Sequence, residues 1–375
     1  MHNRLTLRDF ALVIALLLIC GFFSIMSPEF LSARNLSLLV TELAITATLA
    51  IGMLLVILPG HIDLSAGSGL GLIGGIAAVL ITDHHWPAPL AMAAGLGVAL
   101  VLWFAMGSLI VRERIPAFII TLGGLLIFRG LFWQVIHNQT IQIAVGGQSN
   151  LMSMLTTYYL PKAAGYLIAV VAIAGLVIAK LRGRRARLAY GLPCDDGELT
   201  FTKLFIVAQL ILLFVIVTNQ YRGVPLAALI LAIIACAVWV LTQHTPFGRY
   251  LYAIGGNEEA AIISGIPVQR VTTAAFVLMG AIVAMTGFMQ TAYGGASTTT
   301  VGELMELDAV AACVIGGVSL KGGRGTVLGV LFGALIMACL INGMTLLTVE
   351  TWKSYVTRGT VLILAVWMDV RLAKS

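Results

Sequence analysis

Apolar stretches long enough to cross a membrane recur along the whole chain, and short polar segments separate them. A helix of about 20 apolar residues crosses roughly 30 Å of hydrocarbon. The segments at 64–82 and 304–319 are shorter and rich in glycine, which predicts half-helices that do not cross fully. Counting both as crossings gives twelve spans, and counting neither gives ten. The apolar segments lie near residues 10–26, 36–58, 64–82, 88–111, 115–137, 165–180, 201–217, 224–242, 271–293, 304–319, 326–348 and 353–370.

This pattern predicts an all-α, polytopic helical membrane protein with about ten transmembrane helices, some of them broken. Composition agrees, because 60% of the residues are apolar and only 10% are charged, whereas soluble domains contain about 25% charged residues. The basic N-terminal stretch lacks a small-residue cleavage site and predicts an uncleaved first span. We expect residues 1–375 to form a single transmembrane domain, with the polar insertion at 180–203 acting as a topological anchor and flexible loop.

The distribution of Lys and Arg predicts the orientation of the chain. Cytoplasmic loops of membrane proteins carry an excess of both residues. If the N-terminus is cytoplasmic and the spans alternate, sixteen basic residues lie on the inner side and five on the outer side, with Arg129 inside a span. Both termini are then cytoplasmic. This bias explains the net charge of +6 without any nucleic-acid partner.

One polar segment between two spans, "YAIGGNEEAAIISGIPVQR", carries the signals of a very short helix over about 257–265. Asn257 is a favoured N-cap residue, and Glu258 and Glu259 complement the helix dipole in the first turn. Gly265 suits the left-handed position after the last turn, and Pro267 prevents continuation. The charge pattern places this helix in the cytoplasm.

A helix this short requires something to pack against, since isolated helices below about 12–15 residues are marginal in water. Ala260, Ala261 and Ile262 offer a small, partly apolar surface. Two interpretations are open: a surface turn packed on its own bundle, or a docking helix for a separate cytoplasmic protein. The chain has no phosphate loop, because Lys321 is followed by Gly322. Any ATP that drives the protein must therefore bind another subunit.

Two segments, 60–75 and 302–317, place carboxylates at the start of a short helix rich in glycine and alanine. Ionisable groups at membrane depth are costly and face a cavity or a partner. These groups either cap half-helices or line a solute path. No zinc spacing and no catalytic triad is visible. The candidate polar groups are Asp63, Ser65, Glu303, Glu306 and Asp308.

Further polar residues fall within the apolar segments. Arg129, in the fifth segment, is expected to pair with Glu42. Asn342, in the eleventh, is expected to hydrogen-bond between helices and is counted with Asp63, Ser65, Glu303 and Asp308 as a candidate for the translocation path.

The string "EAAIISG" resembles the signature of ABC importer permeases in the cytoplasmic coupling helix that meets the ATPase subunit. The likeness to the ribose/xylose/galactose branch continues through "GHIDLSAGSGLGLIGG", "IPAFIITLGGLLIFRG" and "ELDAVAACVIGGVSLKGGRGTVLGVLFGALIMACLINGM". Together with "YRGVP" and the long insertion, these strings look most like D-xylose-type permeases. The resemblance covers nearly the whole chain.

The resemblance implies a permease subunit, without enzymatic activity or bound cofactor, that carries a monosaccharide such as D-xylose across the bacterial inner membrane. It implies a homodimer in the lipid bilayer, a periplasmic sugar-binding protein, and a cytoplasmic ATPase that binds ATP–Mg. The ATPase-coupling residues would be Asn257, Glu258, Glu259, Ala260, Ala261 and Gly265. From the residues alone, an ion-coupled secondary transporter using Asp63, Asp308 or Glu303 remains an alternative.

Overall fold

The computed structural model describes residues 7–144, 147–191 and 197–372. Fifteen helices and one two-stranded sheet make up this part of the chain. The first eight helices are α1 (Leu7–Met26), α2 (Ala33–Ile57), α3 (Ala66–Thr82), α4 (Ala88–Glu113), α5 (Ala117–Val135), α6 (Leu151–Thr157), α7 (Lys162–Ala189) and α8 (Gly197–Tyr221). The others are α9 (Leu226–His244), α10 (Pro246–Gly256), α11 (Glu258–Ile263), α12 (Val268–Gly294), α13 (Met305–Ile315), α14 (Val327–Leu346) and α15 (Thr351–Leu372).

The helical membrane architecture is confirmed. Eight helices of the described chain are long and apolar enough to cross a bilayer, namely α2, α4, α5, α7, α8, α9, α12 and α14. Two shorter apolar helices, Leu12–Met26 within α1 and α3, accompany them. Proline stands at the N-terminal boundary of α4, α5, α7, α9 and α12, where its missing N–H costs no intrahelical hydrogen bond.

The helix α2 lies at the centre of the bundle. In its most apolar window 78% of the residues are buried within the chain, compared with 11% for α7 and for α8. Around α2 pack α12, α13, α14, α9 and α8. The hairpin of α7 and α8 therefore lies at the periphery, and its side chains are mostly exposed on the surface of the isolated chain.

Glycines bring α3, α4 and α12 into close contact. A Cβ built at Gly74 of α3 would lie 2.8 Å from the carbonyl oxygen of Gly287 in α12, and one at Gly107 of α4 would lie 2.8 Å from Cβ of Phe276 in α12. Such small-residue contacts let helix backbones approach closely within a membrane. They position the two broken segments described next.

Both predicted short helices are present, but by length only α13 is too short to cross, since crossing helices have about 17–25 residues. α3 has 17 residues and α13 has 11, so α13 is only about 16 Å long and does not cross the hydrocarbon alone. Before α13, residues 296–297 form strand β2, which pairs antiparallel with strand β1 (Ile141–Gln142) in the register Ile141↔Ser297 and Gln142↔Ala296. Residues 298–304 then run alongside α3 to the start of α13, where Val301 and Gly302 lie against Gly71 and Gly67 of α3.

The insertion at 180–203 differs from its prediction. α7 continues to Ala189 and α8 begins at Gly197, so most of the insertion is helical rather than a flexible loop. Residues 192–196 lie outside the described chain. The basic residues of this segment lower its hydropathy, which explains why hydropathy alone ends α7 too early.

Candidate functional site

The short helix α11 forms where the sequence predicts it. Asn257 is the N-cap, and its Oδ1 accepts a hydrogen bond from the backbone N–H of Ala260 at 2.9 Å. Glu258 and Glu259 occupy the first turn. Gly265 follows the helix with a φ of +78°, a left-handed conformation that costs glycine no Cβ clash. The predicted start and stop signals are therefore both used.

Two isoleucines of α11 are turned outward. Ile262 is 57% exposed and Ile263 is 87% exposed, whereas Ala261 is 3% exposed. The expectation that Ala261 forms part of an exposed surface is wrong, because α11 rests on α10 and α12 and Ala261 is the side chain that it buries. An exposed apolar pair on a one-turn helix is a small, protruding surface suited to a partner protein.

The helix α10, directly before α11, is not visible in the hydropathy pattern. Thr245 is its N-cap, and its Oγ1 accepts a hydrogen bond from the N–H of Gly248 at 3.3 Å. Pro246 stands at the first helical position. A threonine followed by proline is an N-terminal helix signal, and it could have revealed α10. The helix buries Leu251 and Ile254 against the bundle.

The end of α10 touches both broken segments. A Cβ built at Gly255 would overlap the carbonyl oxygen of Leu58 and the backbone nitrogen of Gly323. Gly323 donates its N–H to Leu58 O at 2.9 Å, and the hydroxyl of Tyr252 donates to Gly325 O at 2.8 Å. We call this three-way contact of α10, the segment before α3 and the segment after α13 the backbone junction. Any displacement of α10 and α11 must be accommodated by both segments.

Asp63 lies in the break between α2 and α3 and is completely buried. Its Oδ1 accepts hydrogen bonds from Ser65 N at 2.9 Å and Ser65 Oγ at 2.6 Å, and its Oδ2 accepts one from Trp103 Nε1 at 2.7 Å. Ser65 is also buried, and it makes no side-chain capping bond to α3. Asp63 thus closes the turn before the helix and ties it to α4.

The irregular segment before α13 contacts α3 and α5. A Cβ built at Gly302 would overlap the carbonyl oxygen of Gly67 in α3, and a Cβ built at Gly67 would overlap the carboxylate of Glu306. Trp133 of α5 donates its Nε1–H to Thr299 O at 3.3 Å. The two broken segments therefore meet where both short helices begin.

Glu303 forms an ion pair at this meeting point. Its Oε1 lies 3.3 Å from Arg129 Nη2, and both side chains are 35% exposed. The guanidinium carbon of Arg129 lies 5.8 Å from the ring centroid of Trp133. The prediction that Arg129 pairs with Glu42 is wrong, because α5 faces the segment before α13. Ser68 lines the same recess. This partly exposed ion pair beside an indole ring lies at a recess of about 20 Å³, which has room for about one water molecule.

Asp308 has a different partner. It accepts two hydrogen bonds from Arg358 of α15: one from Nε to Oδ1 at 2.9 Å and one from Nη2 to Oδ2. Bidentate pairs of this type are among the strong, geometrically specific contacts of proteins. Both side chains are mostly buried, so Asp308 fastens α13 to α15.

Asn342 joins two helices, as expected for an amide in a membrane bundle. Its Oδ1 accepts a hydrogen bond from Asn35 Nδ2 at 2.8 Å, and its Nδ2 donates to Glu42 Oε2 at 3.3 Å. Glu42 also accepts from the hydroxyl of Tyr293 at 2.6 Å. This network links α2, α12 and α14 and is separate from the recess at Glu303.

A bundle of apolar helices with two broken segments, joined to a short capped helix through the backbone junction, is the architecture of a polytopic membrane protein, and the family match identifies its class as a permease. The chain belongs to the family described as branched-chain amino acid transport system / permease component, which matches residues 35–366.

Curated relatives extend over nearly the whole chain. The chain is 40% identical over 368 residues to the xylose transport system permease protein XylH of Escherichia coli strain K12, and the match covers 98% of this chain and 93% of that protein. It is 39% identical to XylH of Haemophilus influenzae, covering 100% and 99%. It is 32% identical to the ribose import permease protein RbsC of Escherichia coli strain K12, covering 95% and 92%. No solved structure matches the chain.

Proposed function

We propose that this chain is the membrane-spanning permease subunit of an ATP-driven ABC importer that carries a monosaccharide across the bacterial inner membrane. The observation that best supports this proposal is the capped helix α11, which exposes Ile262 and Ile263. It directly follows α10, and the end of α10 contacts both broken segments at the backbone junction. A partner that moves α11 would thereby act on the segments that flank the recess at Glu303. The names of the relatives support a sugar as the solute.

The partners follow from this assignment. A cytoplasmic ATPase binds ATP–Mg and docks on residues 257–265, and a periplasmic sugar-binding protein delivers the solute at the opposite end. Two copies of the chain, each a single transmembrane domain over residues 1–375, form the complex in the lipid bilayer. The excess of Lys and Arg on the end that carries α11 supports cytoplasmic termini.

Within the proposed path, the candidate residues take different roles. Glu303, partly exposed beside Arg129 and Trp133, is the proposed contact for solute hydroxyls. Asp308 and Asn342 were also placed in the path from sequence, but their buried contacts favour roles in holding helices together. Asp63 and Ser65 face no open space in this conformation, and their burial favours a brace at the start of α3.

D-Xylose is the proposed solute, since the relatives with about 40% identity are xylose permeases. Reconstitution tests the assignment: the permease, its ATPase and its binding protein are placed in proteoliposomes with ATP–Mg on the ATPase side. We expect uptake of radiolabelled D-xylose that requires both partners and exceeds uptake of D-ribose. Uptake driven by a proton gradient without ATP would instead establish the ion-coupled alternative.

The coupling helix has its own test. Gly265→Val forces a β-branched residue into a left-handed conformation, and Ile263→Asp places a charge on the protruding surface. Both variants should insert normally but lose ATP-driven uptake, with the ATPase no longer co-purifying for Ile263→Asp. Tyr190→Asp, at the C-terminal end of α7, is on a residue that is 82% exposed, compared with 87% for Ile263, and controls for a new acidic group away from α11. Full uptake with a bound ATPase in both variants would exclude the docking role.

A further inference from the structure

A lateral cleft opens between α4, α9, α10 and α12, on the same end of the bundle as α11. Its volume is about 720 Å³, within the range of about 300–1,000 Å³ common for ligand sites. Phe104 and Val111 of α4, Leu241 of α9 and Val277 of α12 supply apolar walls. The cleft is distinct from the recess at Glu303, which lies between α3, α5 and the segment before α13.

Two arginines stand at the mouth of this cleft. Arg112 lies in the last turn of α4, and Arg270 lies in the first turn of α12. Both side chains are exposed, and neither forms an ion pair with a residue that the structure describes. No acidic side chain is among the described residues that line the cleft. The mouth is therefore a site of uncompensated positive charge.

The register of α4 and α12 brings these arginines to the same level. The helices run antiparallel, since Gly107 faces Phe276 while Gly280 faces Trp103. Continuing this register by five to six residues, about one and a half helical turns, places Arg112 and Arg270 at the same level of the bundle, and both residues line the cleft. The relative position of these two arginines, although they are distant in sequence, is thus fixed by close glycine contacts between two helices and not by flexible loops.

The apolar walls lie at a defined depth below the charges. Phe104 precedes Arg112 by eight residues on the same face of α4, and Leu278 follows Arg270 by eight residues on α12. At 1.5 Å per residue, both lie about 12 Å further along the bundle axis. Ala274, between them in depth, leaves room in the cleft. The cleft thus combines a cationic mouth with a long apolar floor.

We propose that this cleft binds one anionic phospholipid, with its phosphate at Arg112 and Arg270 and an acyl chain along Phe104, Ala274 and Leu278. Basic pockets between membrane helices bind acidic lipid headgroups by the same electrostatics. Because α12 begins directly after the coupling helix and α10 directly precedes it, the lipid contacts both helices that hold α11. The bound lipid would therefore hold α10 and α12, and with them α11, in a fixed position at the membrane surface.

Native mass spectrometry of the intact permease, released from nanodiscs of equal palmitoyl-oleoyl phosphatidylglycerol and phosphatidylcholine, tests the site. Wild type should retain phosphatidylglycerol in preference to phosphatidylcholine. The double variant Arg112→Gln/Arg270→Gln should lose this preference by about 25-fold, since each near-surface arginine contributes about a factor of five. Arg112→Lys/Arg270→Lys should keep most of it and shows that the fold tolerates both substitutions.

The control variant Arg249→Gln/Arg324→Gln removes two exposed arginines from the same end of the bundle but outside the cleft, and it should bind lipid like wild type. Ala274→Phe fills the floor and should release phosphatidylglycerol although both arginines remain. If Arg249→Gln/Arg324→Gln reduces retention equally, or if retention persists in the Arg112→Gln/Arg270→Gln variant, the site is excluded. If Ala274→Phe retains phosphatidylglycerol like wild type, the acyl chain does not lie on the floor of this cleft and the proposed site is overturned.

Discussion

The two broken segments of this bundle begin with similar sequences and end in different environments. In each, a carboxylate precedes a short helix rich in small residues. Asp63, before α3, receives all its hydrogen bonds from Ser65 and Trp103 and is fully buried. Glu303, before α13, pairs with Arg129 and remains partly exposed. The comparison shows that the same acid-then-glycine pattern occurs with a buried carboxylate and with a partly exposed one, so the pattern alone does not predict the environment of the carboxylate.

The Asp63 side of the comparison carries the largest expected effect on stability. Asp63→Ala leaves three buried donors without an acceptor, and each unsatisfied group costs about 1–3 kcal/mol. We expect the free energy of unfolding to fall by about 3 kcal/mol or more, with a lower thermal midpoint of the detergent-purified protein. Asp83→Ala, at the exposed end of α3, should leave the midpoint nearly unchanged. A normal midpoint combined with lost uptake would instead place Asp63 in the solute path.

Asp308 gives an intermediate case, because its partner comes from another helix but the pair is mostly buried. Arg358→Met leaves the carboxylate without its cation. Breaking a buried pair costs about 3–5 kcal/mol, and partial exposure reduces the expected loss to about 2–3 kcal/mol. Thermal unfolding measures it, with Lys353→Met as the matched control, since Lys353 pairs with Glu350 at the surface. Equal losses in both variants would contradict a fastening role for Asp308.

The Glu303 side carries the smallest effect on stability. Glu303→Gln removes an exposed ion pair, which costs less than about 1 kcal/mol. It also removes a charged acceptor for solute hydroxyls, so we expect ATP-driven uptake to fall about tenfold, in line with the loss of one charge-assisted hydrogen bond. Glu350→Gln should affect neither quantity. Unchanged uptake in the Glu303 variant would remove this recess from the path.

The features that depend on neighbouring residues were predictable from the sequence. The caps of α11 at Asn257 and Gly265 depend only on neighbouring residues, and so do the shortness and glycine content of α3 and α13. The ion pairs of Arg129 with Glu303 and of Arg358 with Asp308 depend on which helices pack together, which hydropathy does not specify. The same limit explains the incorrect pairing of Arg129 with Glu42.

Two further differences have local causes. The helix α10 was missed because its Thr245–Pro246 signal directly follows a span and its polar face interrupts the apolar pattern. The insertion at 180–203 was expected to be flexible because its arginines lower the hydropathy, although arginine is a good helix former. Ala261 was expected to belong to a small, partly apolar surface for a partner, but a helix of six residues must bury some side chain to be held in place.

The backbone junction has a consequence for how such a protein can diversify. Leu58 contributes a carbonyl oxygen, and Gly255 and Gly323 contribute main-chain atoms and the absence of side chains. Apart from the Tyr252 hydroxyl on Gly325 O, the junction is made of main-chain atoms, so its contacts do not depend on the side chains around Glu303. Under the proposed function, substitutions around Glu303 would change which solute is accepted and leave the main-chain linkage to α11 intact. Solute choice and ATPase docking could then evolve separately within one chain.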